Sequence, residues 1–256
     1  WNVRADAVFV GAQNYISLLQ DTEFVNSVYV TIVFSIMTTI GTCGVGLIMA
    51  LMIADEKLKY KNFFLTIFFL PVMLDFVATC LVWQFMYVPY YGAIPGIFGL
   101  LGLYDLRGLR WTMSKELAMP AVVIYLIWKT TGLNILLFFA GIIGIPKPYY
   151  EAAALDRLSS LQRFRHVILP FIKPILLYVG LISFINASAS FEPIYMLTWG
   201  GPGNTTRVIS MWLFENFFFF RKGGYASAGS MIMMFITIAF VFFVVFTLLR
   251  VTYERR

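Results

Sequence analysis

Apolar residues dominate five stretches of the chain, each twenty or more positions long, and the polar, glycine and proline residues gather between them. A helix needs about 20 such residues to cross about 30 Å of hydrocarbon. The pattern therefore predicts membrane-spanning helices at 24–54, 63–87, 117–143, 174–197 and 225–252. The intervening segments 55–62, 88–116, 144–173 and 198–224 carry the turn formers and charges expected of connections. None of them reads as a soluble domain. The fold expected is all-α, a polytopic membrane helical bundle with five transmembrane helices, and a single domain over 1–256. Within the first span Gly41, Gly44, Gly46, Ala50 and Ala54 supply the small residues that let membrane helices approach closely. Phe217, Phe218, Phe219 and Phe220 read as an interfacial or lipid-facing surface.

Composition agrees: 60% of residues are hydrophobic and 12% charged, against roughly 45–50% and about 25% in soluble domains, and the mean hydropathy is +0.81. The net charge of +6 is scattered between apolar runs rather than set in a basic stripe with stacking aromatics, which argues against nucleic acid. Its distribution orients the chain instead. Lys57, Lys59, Lys61, Lys147, Arg157, Arg163, Arg165, Lys173, Arg250, Arg255 and Arg256 fall on one side of the spans. They outnumber Arg4, Arg107, Arg110, Lys115, Arg207, Arg221 and Lys222 on the other, so the first side is expected in the cytoplasm. The C-terminus is then cytoplasmic and Trp1 external, and a cytoplasmic start calls for a sixth helix upstream.

Catalytic and metal chemistry finds little support. Cys43 and Cys80 each lie deep in an apolar run as packing residues, and His166 has no ligand cluster near it. No phosphate-binding Gly-x-x-x-x-Gly-Lys-Ser/Thr, no Gly-x-Ser-x-Gly and no His-Glu-x-x-His occurs, so neither an ATPase nor an intramembrane hydrolase is read here. No metal site and no cofactor are expected in this chain.

The segment from Glu151 to Pro170 is a polar, helix-prone insert in an apolar chain. Helix formers after Pro148 predict a short helix from about Tyr149 with Glu151 in its first turn, where the helix dipole favours a carboxylate. A second short helix is expected over 161–167, ending before Pro170. Together they make a knob on the cytoplasmic face. This segment resembles the coupling loop of ABC importer permeases through Glu151, Ala152, Ala153, Asp156, Gln162, Phe164, Ile168, Leu169 and Pro170. One position departs from the family: Arg157 stands where glycine is usual. The glycine would serve a turn with positive φ, so Arg157 either extends the first helix or makes a contact of its own.

Other segments extend the likeness to the carbohydrate branch of that family, the one serving maltose and glycerol-3-phosphate. They are Phe9-Val-Gly-Ala-Gln-Asn-Tyr15, Phe68-Phe-Leu-Pro71, Thr198-Trp-Gly-Gly-Pro-Gly-Asn-Thr205 and Gly224-Tyr-Ala-Ser-Ala228. The resemblance implies a non-catalytic pore subunit in a bacterial or archaeal inner membrane. Its partners would be a second, homologous permease, two ABC ATPases that bind ATP and Mg, and an external solute-binding protein. It assigns Glu151 to the contact with the ATPase cleft, with Ala152 and Ala153 small for close seating and loop 147–173 as the coupling element. Phe164 and Leu169 would hold the loop against the core.

Polar groups inside spans are expected to face a cavity or one another. Trp128, Asn134, Asn186, Ser188, Ser190, Glu192 and Tyr195 are candidates for a sugar path, and Asp75 and Lys129 for a mutual ion pair. The competing readings are an importer permease for a non-sugar solute and an ion-coupled transporter using Asp75, Lys129 and Glu192.

Overall fold

The computed structural model describes residues 9–55 and 57–253, with side chains through Phe246. Helix α1 (Gln13–Gln20) ends at Asp21, whose carboxylate accepts from the N–H groups of Glu23 (2.9 Å) and Phe24 (3.2 Å) and so caps α2 (Thr22–Ala54). After a short turn come α3 (Lys61–Met73), α4 (Phe76–Met86), α5 (Ala93–Leu100) and a 3-10 turn at Tyr104–Gly108. Helix α6 (Ala118–Ile143) leads into the short α7 (Lys147–Leu155). Then α8 (Ser160–Arg163), a π turn (Phe164–Ile168) and α9 (Leu169–Ser188) follow without interruption. Helix α10 (Glu192–Leu197), α11 (Ile209–Phe214), a second π turn (Glu215–Phe219) and α12 (Gly223–Tyr253) complete the fold. No strand occurs among the described residues.

Helices α2, α6, Ser160–Ser188 and α12 are each long and apolar enough to cross a membrane. Two of the expected spans need correction. The stretch 63–87 is not one straight helix, because α3 and α4 meet at 100°; Pro71 sits in the last turn of α3 and the Asp75 carboxylate caps α4 through Ala78 N–H (2.9 Å). The stretch 174–197 is displaced: its helix starts at Ser160 and stops at Ser188, and 192–197 forms α10. Pro170 does not end the helix before it. The π turn bonds Leu169 N–H to the Phe164 carbonyl, and this extra residue in the turn accommodates the donor and the space that proline removes.

Helix α6 is the centre of the bundle, packed on α2, α3 and α9. A Cβ on Gly132 would lie 2.2 Å from the Phe68 carbonyl oxygen, so α3 and α6 touch backbone to backbone there; one on Gly46 would lie 3.0 Å from Asn134 Cβ. Gly44, also expected to serve packing, faces open space. One apolar cluster gathers Phe34, Trp83, Tyr125, Ile194 and Met211 at one end of the bundle. A second, with Ala50, Phe138, Ile142, Ile168 and Ile172, occupies the other. Along its length α2 also turns a stripe of hydroxyls inward, Ser27, Thr31, Ser35, Thr38 and Thr42. Thr31 and Ser35 donate to the carbonyls four residues back, and Ile209 N–H donates to Thr31 Oγ1 (2.8 Å). Helix α12 exposes Phe235, Phe242, Phe243 and Phe246, a surface suited to lipid. Phe217 to Phe220 are exposed in the same manner. Cys80 is buried and Cys43 half-buried, both as free thiols.

Candidate coupling loop and solute cavity

Pro148 occupies the second position of α7, where its missing N–H costs nothing. The helix begins at Lys147, so Glu151 lies past the first turn and not within it as expected. Helix α7 ends in a left-handed cap: Leu158 N–H donates to the Ala153 carbonyl (3.0 Å) and Arg157 N–H to that of Ala154 (3.1 Å). Arg157 takes φ +52° at the position glycine would prefer, so it neither extends the helix nor removes the turn. The cost is about 1–2 kcal/mol, offset by the two capping bonds and by Leu158 packing on the core.

Beyond the turn, Ser159 and Gln162 form a reciprocal capping box, Ser159 N–H to Gln162 Oε1 (2.8 Å) and Gln162 N–H to Ser159 Oγ (3.3 Å). This gives Gln162 a local task, holding the start of α8. Helix α8 then runs through Pro170 into α9, so the expected separate helix over 161–167 is the root of a span.

The loop has two faces. Ala153 is buried with Ile142, Ile145, Val167 and Ile168, Phe164 packs half-buried on the same cluster, and the Tyr150 hydroxyl donates to the Ile142 carbonyl (3.3 Å). Glu151, Ala152, Asp156, Arg157, Gln162 and Pro170 are exposed, and Leu169 is half-buried. Of the two alanines, then, Ala153 seats against the chain's own core and Ala152 looks outward. Leu155 and Leu161 are 84% and 75% exposed on the outward face. Sequence reasoning passed over both, although apolar residues in an otherwise polar knob were the available signal.

A cavity of about 360 Å³ opens between α2, the α3–α4 corner, α6, α9 and the start of α10, near the lower end of the roughly 300–1,000 Å³ typical of ligand pockets. Asn134, Asn186, Ser190 and Glu192 line it, as do Thr38, Thr42, Thr130, Ser183 and Lys129. Asn134 is buried and donates to Ser183 Oγ (3.2 Å), Thr38 Oγ1 has no protein partner, and Asn186 and Glu192 are exposed at the rim. Such a wall of hydroxyls, amides and one carboxylate against apolar Val72, Leu126 and Leu133 can hydrogen-bond a polyhydroxylated molecule. Trp128 and Tyr195 are not among its lining residues. Trp128 packs on Trp83 (5.4 Å between centroids) and Tyr195 on Trp199 (4.0 Å) and Phe191 (5.1 Å). Ser188 lines a separate apolar groove and bonds the Ile185 carbonyl.

Asp75 and Lys129 do not form the ion pair considered from sequence. The Lys129 ammonium donates to the carbonyls of Pro71 (2.7 Å) and Leu74 and lies 4.6 Å from the Phe76 ring centroid. Asp75 uses its carboxylate as a cap. The ion pairs among the described residues are those of Arg207 with Glu23 (2.9 Å) and with Glu215. Burial alone would lower the Arg207 pKa, but the two carboxylates outweigh it and hold the guanidinium above its ordinary value. These contacts pin residues 198–208 to the start of α2. Thr206 adds hydrogen bonds to the Thr198 hydroxyl (2.8 Å) and the Gly201 carbonyl (2.9 Å).

A bundle of membrane-length helices around a cavity lined in part by hydroxyls and amides, carrying an exposed helical loop, is the architecture of a multi-pass membrane protein. The chain belongs to the family described as binding-protein-dependent transport system inner membrane component, which it matches over residues 42–256. It is 34% identical to the trehalose/maltose transport system permease protein MalF of Thermococcus litoralis over 91% of this chain and 77% of that one. It is 30% identical to the sn-glycerol-3-phosphate transport system permease protein UgpA of Agrobacterium fabrum, over 92% and 79%. The fold matches a chain of a bacterial ABC transporter involved in alginate import, with a TM-score of 0.84 at 22% identity over 95% of this chain and 85% of that one.

Proposed function

We propose that this chain forms one half of the transmembrane path of an ATP-driven importer for a sugar or related polar solute. Loop 147–173 is the element on which ATPase subunits pull. The observation that carries this reading is the two-faced loop: Ala153 and Phe164 fasten it to the bundle core while Glu151, Ala152, Leu155 and Leu161 face outward. An apolar pair beside a carboxylate, mounted on a helix continuous with a span, is a handle through which a partner's motion reaches the cavity wall on α9. Glu151 makes the polar contact with the ATPase cleft.

The solute class is supported by the cavity lining and by the relatives, whose names specify trehalose and maltose, sn-glycerol 3-phosphate and arabinooligosaccharides. The assembly comprises a second permease, two ATPases that hold ATP and Mg, and an external binding protein; a related alginate transporter structure contains a bound periplasmic protein. The subunit spans a bacterial or archaeal inner membrane with its C-terminus in the cytoplasm.

Purifying the tagged full-length subunit from its native membrane tests this. Co-recovery of an ABC ATPase, a second permease and a solute-binding protein, with the ATPase lost on Glu151→Lys, is the expected result. A subunit recovered alone that moves solute in liposomes without ATP would replace this reading with an ion-coupled transporter.

A further inference from the structure

A right-angle break inside a membrane helix leaves backbone carbonyls without intrahelical partners, and hydrocarbon offers none. At the α3–α4 corner two carbonyls face the break: Pro71 O, in the last turn of α3, which accepts only a turn-closing bond from Leu74 N–H (3.3 Å), and Leu74 O, on the residue that follows the helix. The Lys129 side chain reaches across from α6, with the residue 1% exposed, and its ammonium donates to Pro71 O (2.7 Å) and to Leu74 O. Its positive charge also stands at the negative end of the α3 dipole and beside the Phe76 ring. One turn earlier on α6 the buried Tyr125 hydroxyl holds the other side of the corner. It is bonded to Thr79 Oγ1 (2.8 Å) and donates to the Phe76 carbonyl (3.3 Å). Val72 and Phe76, on either side of the break, line the solute cavity together with Lys129 itself.

We propose that Lys129 is a positioning residue for solute translocation: by satisfying the carbonyls of the break it holds the α3–α4 corner, and so fixes the cavity wall formed by Val72 and Phe76. This rests on the importer reading. It assigns the lysine ammonium to donor chemistry toward backbone rather than to binding of solute or a coupling ion.

Three substitutions separate the possibilities in the reconstituted complex. Lys129→Arg keeps charge and donors, Lys129→Gln keeps donors alone, and Lys129→Met keeps only length. The expected result is that Arg retains solute import per ATP hydrolysed and Gln, neutral and shorter, falls between Arg and Met, while Met lowers it about tenfold or more, the scale of one lost charge-assisted hydrogen bond. Met that imports like wild type overturns the proposal. So does a loss in Arg as deep as in Met, because Arg keeps both the charge and the donors; should the Met complex fail to assemble, the Arg variant decides.

A direct readout of the corner stands apart from transport. Spin labels at Ile67→Cys and Phe85→Cys, in a Cys43→Ser, Cys80→Ala background, report the distance between α3 and α4. That distance changes in the Met variant and holds in Arg if Lys129 sets the bend, and an unchanged distance in Met overturns the proposal. A wild-type complex without ATP-driven import would sink the importer reading while leaving the distance measurement to judge the corner.

Discussion

A buried guanidinium needs its charge met, and Arg207 meets it through two unequal partners that engage its two terminal nitrogens while Nε stays unpartnered. The Glu23 side chain is 58% exposed and that of Glu215 is 16% exposed. Water already screens the first pair, so Glu23→Gln is expected to cost under about 1 kcal/mol. The second pair is largely desolvated, and removing its carboxylate leaves a buried cation with one exposed, screened counter-charge. Glu215→Gln should therefore cost about 2–3 kcal/mol, below the roughly 3–5 of an isolated buried pair because Glu23 remains. Thermal unfolding of the purified complex carrying each variant checks this, and equal losses would show that burial does not set the balance. Arg207 entered the sequence reading only as one cation on the external side. Its partners lie 184 and 8 residues away, and no local pattern marks such a cluster before the helix ends are brought together.

At the scale of the helix, composition made the spans legible and left their shape hidden. A hydropathy window registers 63–87 as one apolar run because Pro71 and Asp75 add little polarity to it, yet those two residues and Lys129, far along the chain, create and hold the 100° corner. Pro170 misleads in the opposite sense: read locally it ends a helix, but the preceding π turn carries the helix past it. The small residues of α2 were recognisable as a class, whereas which of them packs depends on helix rotation. Gly132 and Gly44 turn that distinction into a test. A Cβ at Gly132 would fall 2.2 Å from the Phe68 carbonyl oxygen and 2.9 Å from Phe69 Cα, both backbone atoms, and one at Gly44 meets nothing within 4 Å. Gly132→Ala should force α3 away from α6 and reduce the folded yield and melting temperature. Gly44→Ala should be neutral or stabilising by up to about 1 kcal/mol, the helix-propensity gain over glycine. Fluorescence-detected size exclusion during heating reads both, and equal behaviour of the two would refute the packing assignment.

At the scale of the whole molecule, the site was partly legible because solute cavities in membranes are built from polar residues that lipid would not tolerate. Asn134, Asn186, Ser190 and Glu192 were picked on that ground and do line one cavity; Ser188 and Tyr195, picked on the same ground, and Trp128, picked as an aromatic, lie elsewhere, Ser188 in an apolar groove and the two rings stacked on other aromatics. The same chain-wide logic fixes a direction. Loop 55–62 and the α7–α8 loop flank the cluster that contains Ala50, Ile142 and Ile168, and between them they hold Lys57, Lys59, Lys61, Lys147, Arg157, Arg163 and Arg165. The 88–116 and 198–208 segments belong with the opposite cluster, which contains Trp83, Tyr87, Leu197 and Val208. Cations near span ends are retained in the cytoplasm, so the loop proposed to meet the ATPases is expected inside and Tyr104 outside. In a background lacking Cys43 and Cys80, Lys59→Cys should react with a membrane-impermeant maleimide only in inside-out vesicles, and Tyr104→Cys only in intact cells. Both positions are exposed, so lack of reaction in one preparation reports sidedness and not burial. The reverse pattern would place loop 147–173 out of reach of any cytoplasmic ATPase and remove the mechanical basis of the importer.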